Sequence, residues 1–161
     1  MRIAGIDPGT NTIGYALIEG ERDRPSILRA ETIIIPARTA APERLRRLEQ
    51  ALEERLGRDR PNAVAIEKLY FQKNTKTAMA VSEARGVILL TAHRHARSIG
   101  EYAPLQVKLA VTGYGRADKS HVRRMIRALF PGHELPRGDD AIDAIAIALT
   151  ALAMSGAERI K

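Results

Sequence analysis

An α/β fold built on a mixed sheet is what this sequence predicts, and three observations carry the prediction. The chain opens with three stretches of period-two hydrophobicity, continues with a helix-spaced segment and a wholly apolar run, and closes on a long apolar helix. Residues 2–7, 12–19 and 27–36 read as strands, parted by the turn signals "DPGTN" and "EGERDRPS", and should form an antiparallel meander. Pro42 opens a segment with Leu45, Leu48, Leu52 and Leu56 at helical spacing, ended by Gly57. The run "NAVAIE" that follows suits a buried parallel strand. The order is therefore β-β-β-α-β.

That order places two carboxylates together. Two hairpins leave the third strand parallel to the first, and a helical crossover returns the fourth in the same direction. Asp7 and Glu67 then end parallel strands at one edge of the sheet, the edge where open α/β sheets keep their ligands. Asp7 also suits a Pro-Gly turn, and Glu67 also suits a chain leaving the core for solvent.

Further along, Ala78, Val81, Arg85 and Ile88 recur at helical spacing within residues 77–92. Gly86 in that helix allows close backbone approach, and His93 and His95 at its end are expected to be solvated or to face phosphate. Residues 119–130 form a second amphipathic helix, with Val122, Met125, Ile126 and Leu129 as its apolar stripe. Lys119, Arg123, Arg124 and Arg127 fall on the outer side, where they can neutralise phosphates without reading sequence. The closing helix "DDAIDAIAIALTALAM" is too apolar beyond its first turn to lie in water. Asp139 fits its cap or first turn, and Asp140 and Asp143, three apart, share a face. Asp143 lies among Ile142, Ala144 and Ile145, where a carboxylate without a counter-charge is costly.

The composition bounds what this constellation can do. At 161 residues and 45% hydrophobic, the chain can close one core, so residues 1–161 are expected to form a single domain. An acidic residue at position 7 and the shortness of the apolar stretch 144–154 argue against a signal peptide and a membrane span, which points to the cytoplasm. With no cysteine, any metal is held by oxygen or histidine. The net charge is +7, and residues 68–133 hold twelve Lys or Arg against three acids, a basic middle suited to a polyanion. Two strand-end carboxylates and a D-x-x-D pair make the all-oxygen set that Mg²⁺ or Mn²⁺ selects. Four carboxylates used this way fit two-metal phosphodiester hydrolysis, in which no side chain need act as nucleophile.

Taken together, "GIDPGTNTIGYAL", "AIEKLYFQKN", "AMAVSEARGVIL", "EYAPLQVKLAVTGYGRADKSHV" and "DDAIDAIAIA" resemble, in order and spacing, the RuvC family of Holliday junction resolvases over nearly the whole chain. The resemblance implies an RNase H-like fold of five mixed strands flanked by helices on both faces. It also implies a homodimer in recombination and repair, working beside the RuvA/RuvB branch-migration complex. The implied activity is Mg²⁺-dependent cutting of two opposed strands of a four-way junction, leaving 5′-phosphate and 3′-hydroxyl ends. The family's four catalytic acids fall on Asp7, Glu67, Asp140 and Asp143, with Asp139 an extra acid beside the motif. Its lysines near the scissile strand match Lys108 and Lys119. Its junction-probing aromatic falls on Tyr70, beside Phe71, where the family more often has Phe. Lys73, Lys76 and Arg116 extend the expected DNA-binding set, and the helix carrying Ala78, Val81, Arg85 and Ile88 is the family's dimer interface. Two other readings share parts of this pattern: a single-lobe relative of actin-like or sugar-kinase ATPases, which use a similar Asp-x-Gly-Thr turn, and a catalytically silent junction-binding protein.

Overall fold

The structure, a computed structural model, describes residues 1–68 and 75–155, the side chains of 75–77 excepted. Its elements run β1 (Arg2–Asp7), β2 (Thr12–Glu21), β3 (Arg24–Ile34), α1 (Ala41–Asp59), β4 (Ala63–Glu67), α2 (Thr75–His95), β5 (Ser98–Tyr102), α3 (Pro104–Thr112), α4 (Lys119–Leu129) and α5 (Asp139–Ser155). The five strands form one mixed sheet in the order β3-β2-β1-β4-β5, with β1–β2 and β2–β3 antiparallel and β1–β4 and β4–β5 parallel. The expected meander and crossover are therefore present. The second hairpin, β2–β3, is longer than expected, because its turn needs only Arg22 and Asp23 and the strands run on to Glu21 and Arg24. Its Pro25 is tolerated because β3 is an edge strand.

Strand alternation divides the core into two layers. Ile3, Ala16, Ala63 and Ala65 face α3, α4 and α5, whereas Ala4, Ile6, Ile13, Tyr15, Val64 and Ile66 face α1 and α2. The side chains under α5 are small, so that helix lies close on the sheet. Its residues from Ala141 to Leu152, Asp143 excepted, are buried.

Three sequence expectations need correction. Gly57 does not end α1; the helix continues to Asp59 and stops at Arg60, a left-handed cap with φ 44° followed by Pro61. On α4, Leu129 is 45% exposed and Phe130 is buried in its place, because the chain leaves the helix there and turns Phe130 inward. On α2 the core face is Ala84, Ile88 and Ala92, so Ile88, fully buried against the chain's own sheet layer, cannot meet a partner. Arg85 is half-buried in an ion pair with Glu101 of β5. The side of α2 that faces outward instead carries Met79, Ser82, Gly86 and Leu90.

Candidate active site

Period two decides where the strand-end acids point. Counting from Ile3 and Ala63, Asp7 and Glu67 fall on the α5 side of the sheet, and the parallel register of β1 with β4 sets them side by side. The first turns of α5 arrive over the same edge because Gly14, the register partner of Asp7 on β2, has no side chain. A Cβ there would collide with the Asp140 carbonyl oxygen, and one at Gly5 would collide with that of Ala144. These glycines let α5 approach closely enough to bring Asp140 and Asp143 against Asp7. Their role was not recognised from the sequence, although a glycine inside a strand signals close backbone approach.

Two further helices complete the site. Pro104 opens α3, whose start is tied by the Ala103 amide donating to Gln106 Oε1 at 2.8 Å. Asp118 caps α4, accepting from the His121 amide at 2.8 Å, which makes Lys119 the first helical residue. A cavity of about 330 Å³ lies between these elements, lined by Asp7, Glu67, Lys108, Lys119, Asp143 and apolar residues of α3, α4 and α5. Lys119 Nζ donates to Asp143 Oδ2 at 3.2 Å and stands 3.9 Å from Asp139 Oδ2.

The electrostatics mark these acids as mutually repelling. Burial, and then the charges of Glu67, Asp143 and Asp140, push the Asp7 carboxyl up to about 8, against which Lys119 acts only in part. Burial and Asp143 raise the Glu67 carboxyl. Burial also raises Asp143 despite its bond to Lys119. Burial alone would lower the Lys119 ammonium, but the attraction of Asp143, Asp139 and Asp7 outweighs it and holds the ammonium above its ordinary range. The four acids, crowded into one field and all oxygen donors, fit hard divalent cations, whose binding would relieve that repulsion. Among the described residues no three acids or histidines are drawn together as a ready-made metal cage.

The remaining expected residues are scattered in different ways. Lys108 lines the cavity; Arg116, Arg124 and Arg127 are exposed on the α3–α4 turn and α4. Arg123 turns inward and bonds the segment before α5. Tyr70, Phe71 and Lys73 lie outside the described residues, as does the side chain of Lys76. Ala78 and Val81 are part-exposed on α2. His95 is not solvated; it pairs with Glu53 of α1. Asp139, on the rim at 59% side-chain exposure, is engaged by Arg123 and Lys119.

Comparison with known proteins finds relatives along nearly the whole chain. The family profile "Crossover junction endodeoxyribonuclease RuvC" matches residues 3–151. A protein of that name from Syntrophomonas wolfei is 44% identical over 149 residues, covering 92% of this chain and 87% of its own. The structure of T. thermophilus RuvC in complex with a Holliday junction substrate superposes with a TM-score of 0.91 at 33% identity, covering 98% of this chain and 96% of that one. The yeast mitochondrial Holliday junction resolvase Ydc2, at 13% identity, shares the fold with a TM-score of 0.71, covering 96% of this chain and 79% of that one.

Proposed function

This chain belongs to the RuvC family of crossover junction endodeoxyribonucleases, and we propose how its own residues carry out that family's reaction. It is a Holliday junction resolvase of RNase H-like fold, an endodeoxyribonuclease of recombination and repair that depends on a divalent cation. The observation that carries the residue assignment is the meeting of Asp7, Glu67, Asp140 and Asp143 in one field at the carboxyl edge of the sheet.

In this reading those four acids hold two Mg²⁺ ions, for which Mn²⁺ can substitute. Bound there, such ions lower the pKa of the attacking water and stabilise the leaving 3′-oxygen, which gives 5′-phosphate and 3′-hydroxyl ends. The carboxylates repel the scissile phosphate until their charge is neutralised, so cutting is coupled to cation binding. Lys119 and Lys108 flank the cavity and draw the phosphate to it. Arg116, Arg124 and Arg127 track the arms through their phosphates, and Tyr70 and Phe71, with Lys73 and Lys76 beside them, offer stacking faces and charge to the opened crossover.

Paired symmetric nicks call for two sites related by a two-fold axis, so the working form is a homodimer. The surface suited to it is the outward side of α2, where Met79 is 72% and Leu90 53% exposed and nothing lies within 4 Å of a Cβ built on Gly86. Ala78 and Val81 border that side. Leu90→Glu should then sediment as a monomer with little resolving activity; a dimer unchanged by this substitution would move the interface elsewhere. The chain, residues 1–161, acts as one nuclease domain in the cytoplasm beside the RuvA/RuvB complex. Among the described residues no helix is long and apolar enough to cross a membrane.

The single-lobe ATPase and the silent binding module are not favoured. A pure binder has no use for four acids that repel DNA. The test is to incubate a labelled four-way junction, linear duplex and single strand in parallel, with Mg²⁺ or EDTA. Symmetric nicks in the junction alone, and only with Mg²⁺, are expected; cutting of the duplex at a comparable rate would refute junction selectivity.

A further inference from the structure

Three arginines of α4 lie within five residues, yet they are used differently. Arg124 and Arg127 are exposed, whereas the Arg123 side chain is only 28% exposed and both its terminal nitrogens are engaged. Nη1 donates to the Pro136 carbonyl at 3.0 Å, and Nη2 donates to the Arg137 carbonyl at 2.9 Å and to Asp139 Oδ1 at 3.2 Å. The two carbonyls belong to the segment that enters α5, which is neither helix nor strand from residue 131 to 138, and Asp139 is the first residue of α5 itself. Such a segment has carbonyls that need donors, and a planar guanidinium with five N–H groups can serve several of them at fixed angles. From the other side the segment rests on β3, where a Cβ at Gly138 would stand 3.1 Å from Thr32 Oγ1.

We propose that Arg123 is a positioning residue that braces the entry to α5 and so sets where Asp140 and Asp143 stand opposite Asp7 and Glu67, instead of binding DNA phosphate. The next residues after its last bond are Asp140 and, one turn on, Asp143. The sheet holds the other side of the same turn through the close approach at Gly14. Without the brace the segment keeps only Lys119, 3.9 Å from Asp139, as a nearby cation from α4. The inference rests on the nuclease reading only for its consequence; the brace itself is a statement about this segment.

Arg123→Ala and Arg123→Lys separate a brace from a phosphate contact. A brace predicts that Arg123→Ala cuts a saturating junction about tenfold more slowly and needs several-fold more Mg²⁺ for half its maximal rate. Junction affinity in EDTA should stay within twofold, with an unchanged salt dependence. Arg123→Lys keeps the charge but cannot reach all three acceptors, so it should remain slow. A phosphate contact predicts the opposite pattern, in which Arg123→Ala weakens binding, lowers the salt slope by about 0.9, and is rescued by lysine. A second readout uses protein alone: hydrogen exchange across residues 136–143 should be faster in both variants while the sheet amides are unchanged. Unchanged exchange there, or lysine rescue of cleavage, would overturn the proposal. Native protein that cuts no junction would instead refute the nuclease reading, leaving exchange to decide the brace.

Discussion

Asp7 and Asp59 are both withdrawn from water, and the molecule treats them in opposite ways. Asp59, at the last turn of α1, is 5% exposed. Burial there opposes its charge, yet the carboxylate accepts from Tyr15 Oη at 2.9 Å and from Arg58 at 2.8 and 3.1 Å, with Arg29 at 3.5 Å. Its pKa is lowered, and burial together with this same bond raises the Tyr15 hydroxyl far above its ordinary value. Asp7 faces three like charges and one lysine, and its carboxyl rises to about 8. Burial of an acid is therefore no mark of function in itself. The mark is burial with the charge left uncompensated, which the site relieves by taking up a proton or a cation.

The largest expected effect falls on the uncompensated side. Glu67→Gln or Asp143→Asn removes one ligand charge of four and should lower junction cleavage by about 10³-fold or more, while the fold and junction binding in EDTA persist. Single-turnover rates on gels check it; a loss below tenfold would break the comparison. On the compensated side, Asp59→Ala leaves Arg58 and Arg29 able to turn to solvent but strands the buried Tyr15 hydroxyl. It should cost about 2–3 kcal/mol in urea unfolding, with the cleavage rate per folded molecule unchanged. Tyr15→Phe in the same background should add little, because the two share one bond.

How far this contrast was legible in the sequence can be argued residue by residue. Asp7 and Glu67 were readable because strand period and crossover geometry act locally and fix which edge each strand ends on. Asp143 was readable because an acid within an apolar helix is conspicuous, whereas Asp140, in the first turn where capping also explains an acid, was marked by its D-x-x-D spacing and the family resemblance. Asp59 was not, because nothing adjacent in sequence shows that Tyr15 and Arg29, on β2 and β3, will close over it. Arg123 has the same cause. Helical periodicity gives the side of α4 that meets the core, but it cannot show that the segment before α5 will cover the next side round. On α2 the apolar residues recur on more than one side, so periodicity could not say which side meets the core, and the interface that the family resemblance implied took in Ile88, which belongs to the core.

Acid unfolding sharpens the comparison at smaller scale. Because the folded pKa of Asp59 is lowered, its contribution is fully present above the unfolded value near 4 and is lost as pH falls through the folded one. Native protein should therefore lose more stability between pH 5 and 2 than Asp59→Asn does, measured by urea melts across pH. The smallest effect belongs to the outer arginines: Arg124→Ala or Arg127→Ala should each lower the salt slope of junction binding by about 0.9 and leave saturated cleavage within twofold. No change of slope in either variant would take that side of α4 off the DNA path.

The most direct test is Asp7→Asn, measured twice on one preparation. A carboxyl raised in the fold from near 4 to about 8 costs nothing below pH 4, costs progressively more as pH rises between those values, and costs most above 8. Asparagine removes that cost. In EDTA at pH 8 the variant should therefore unfold at higher urea than the native protein, by about 1–3 kcal/mol after allowing for solvent screening, and the gap should close below pH 4. In Mg²⁺ the same variant should cut four-way junctions at least about 10³-fold more slowly. A variant that gains stability and loses cleavage is what an uncompensated, cation-holding Asp7 requires; one that cuts at near-native rate, or is less stable at pH 8, contradicts it.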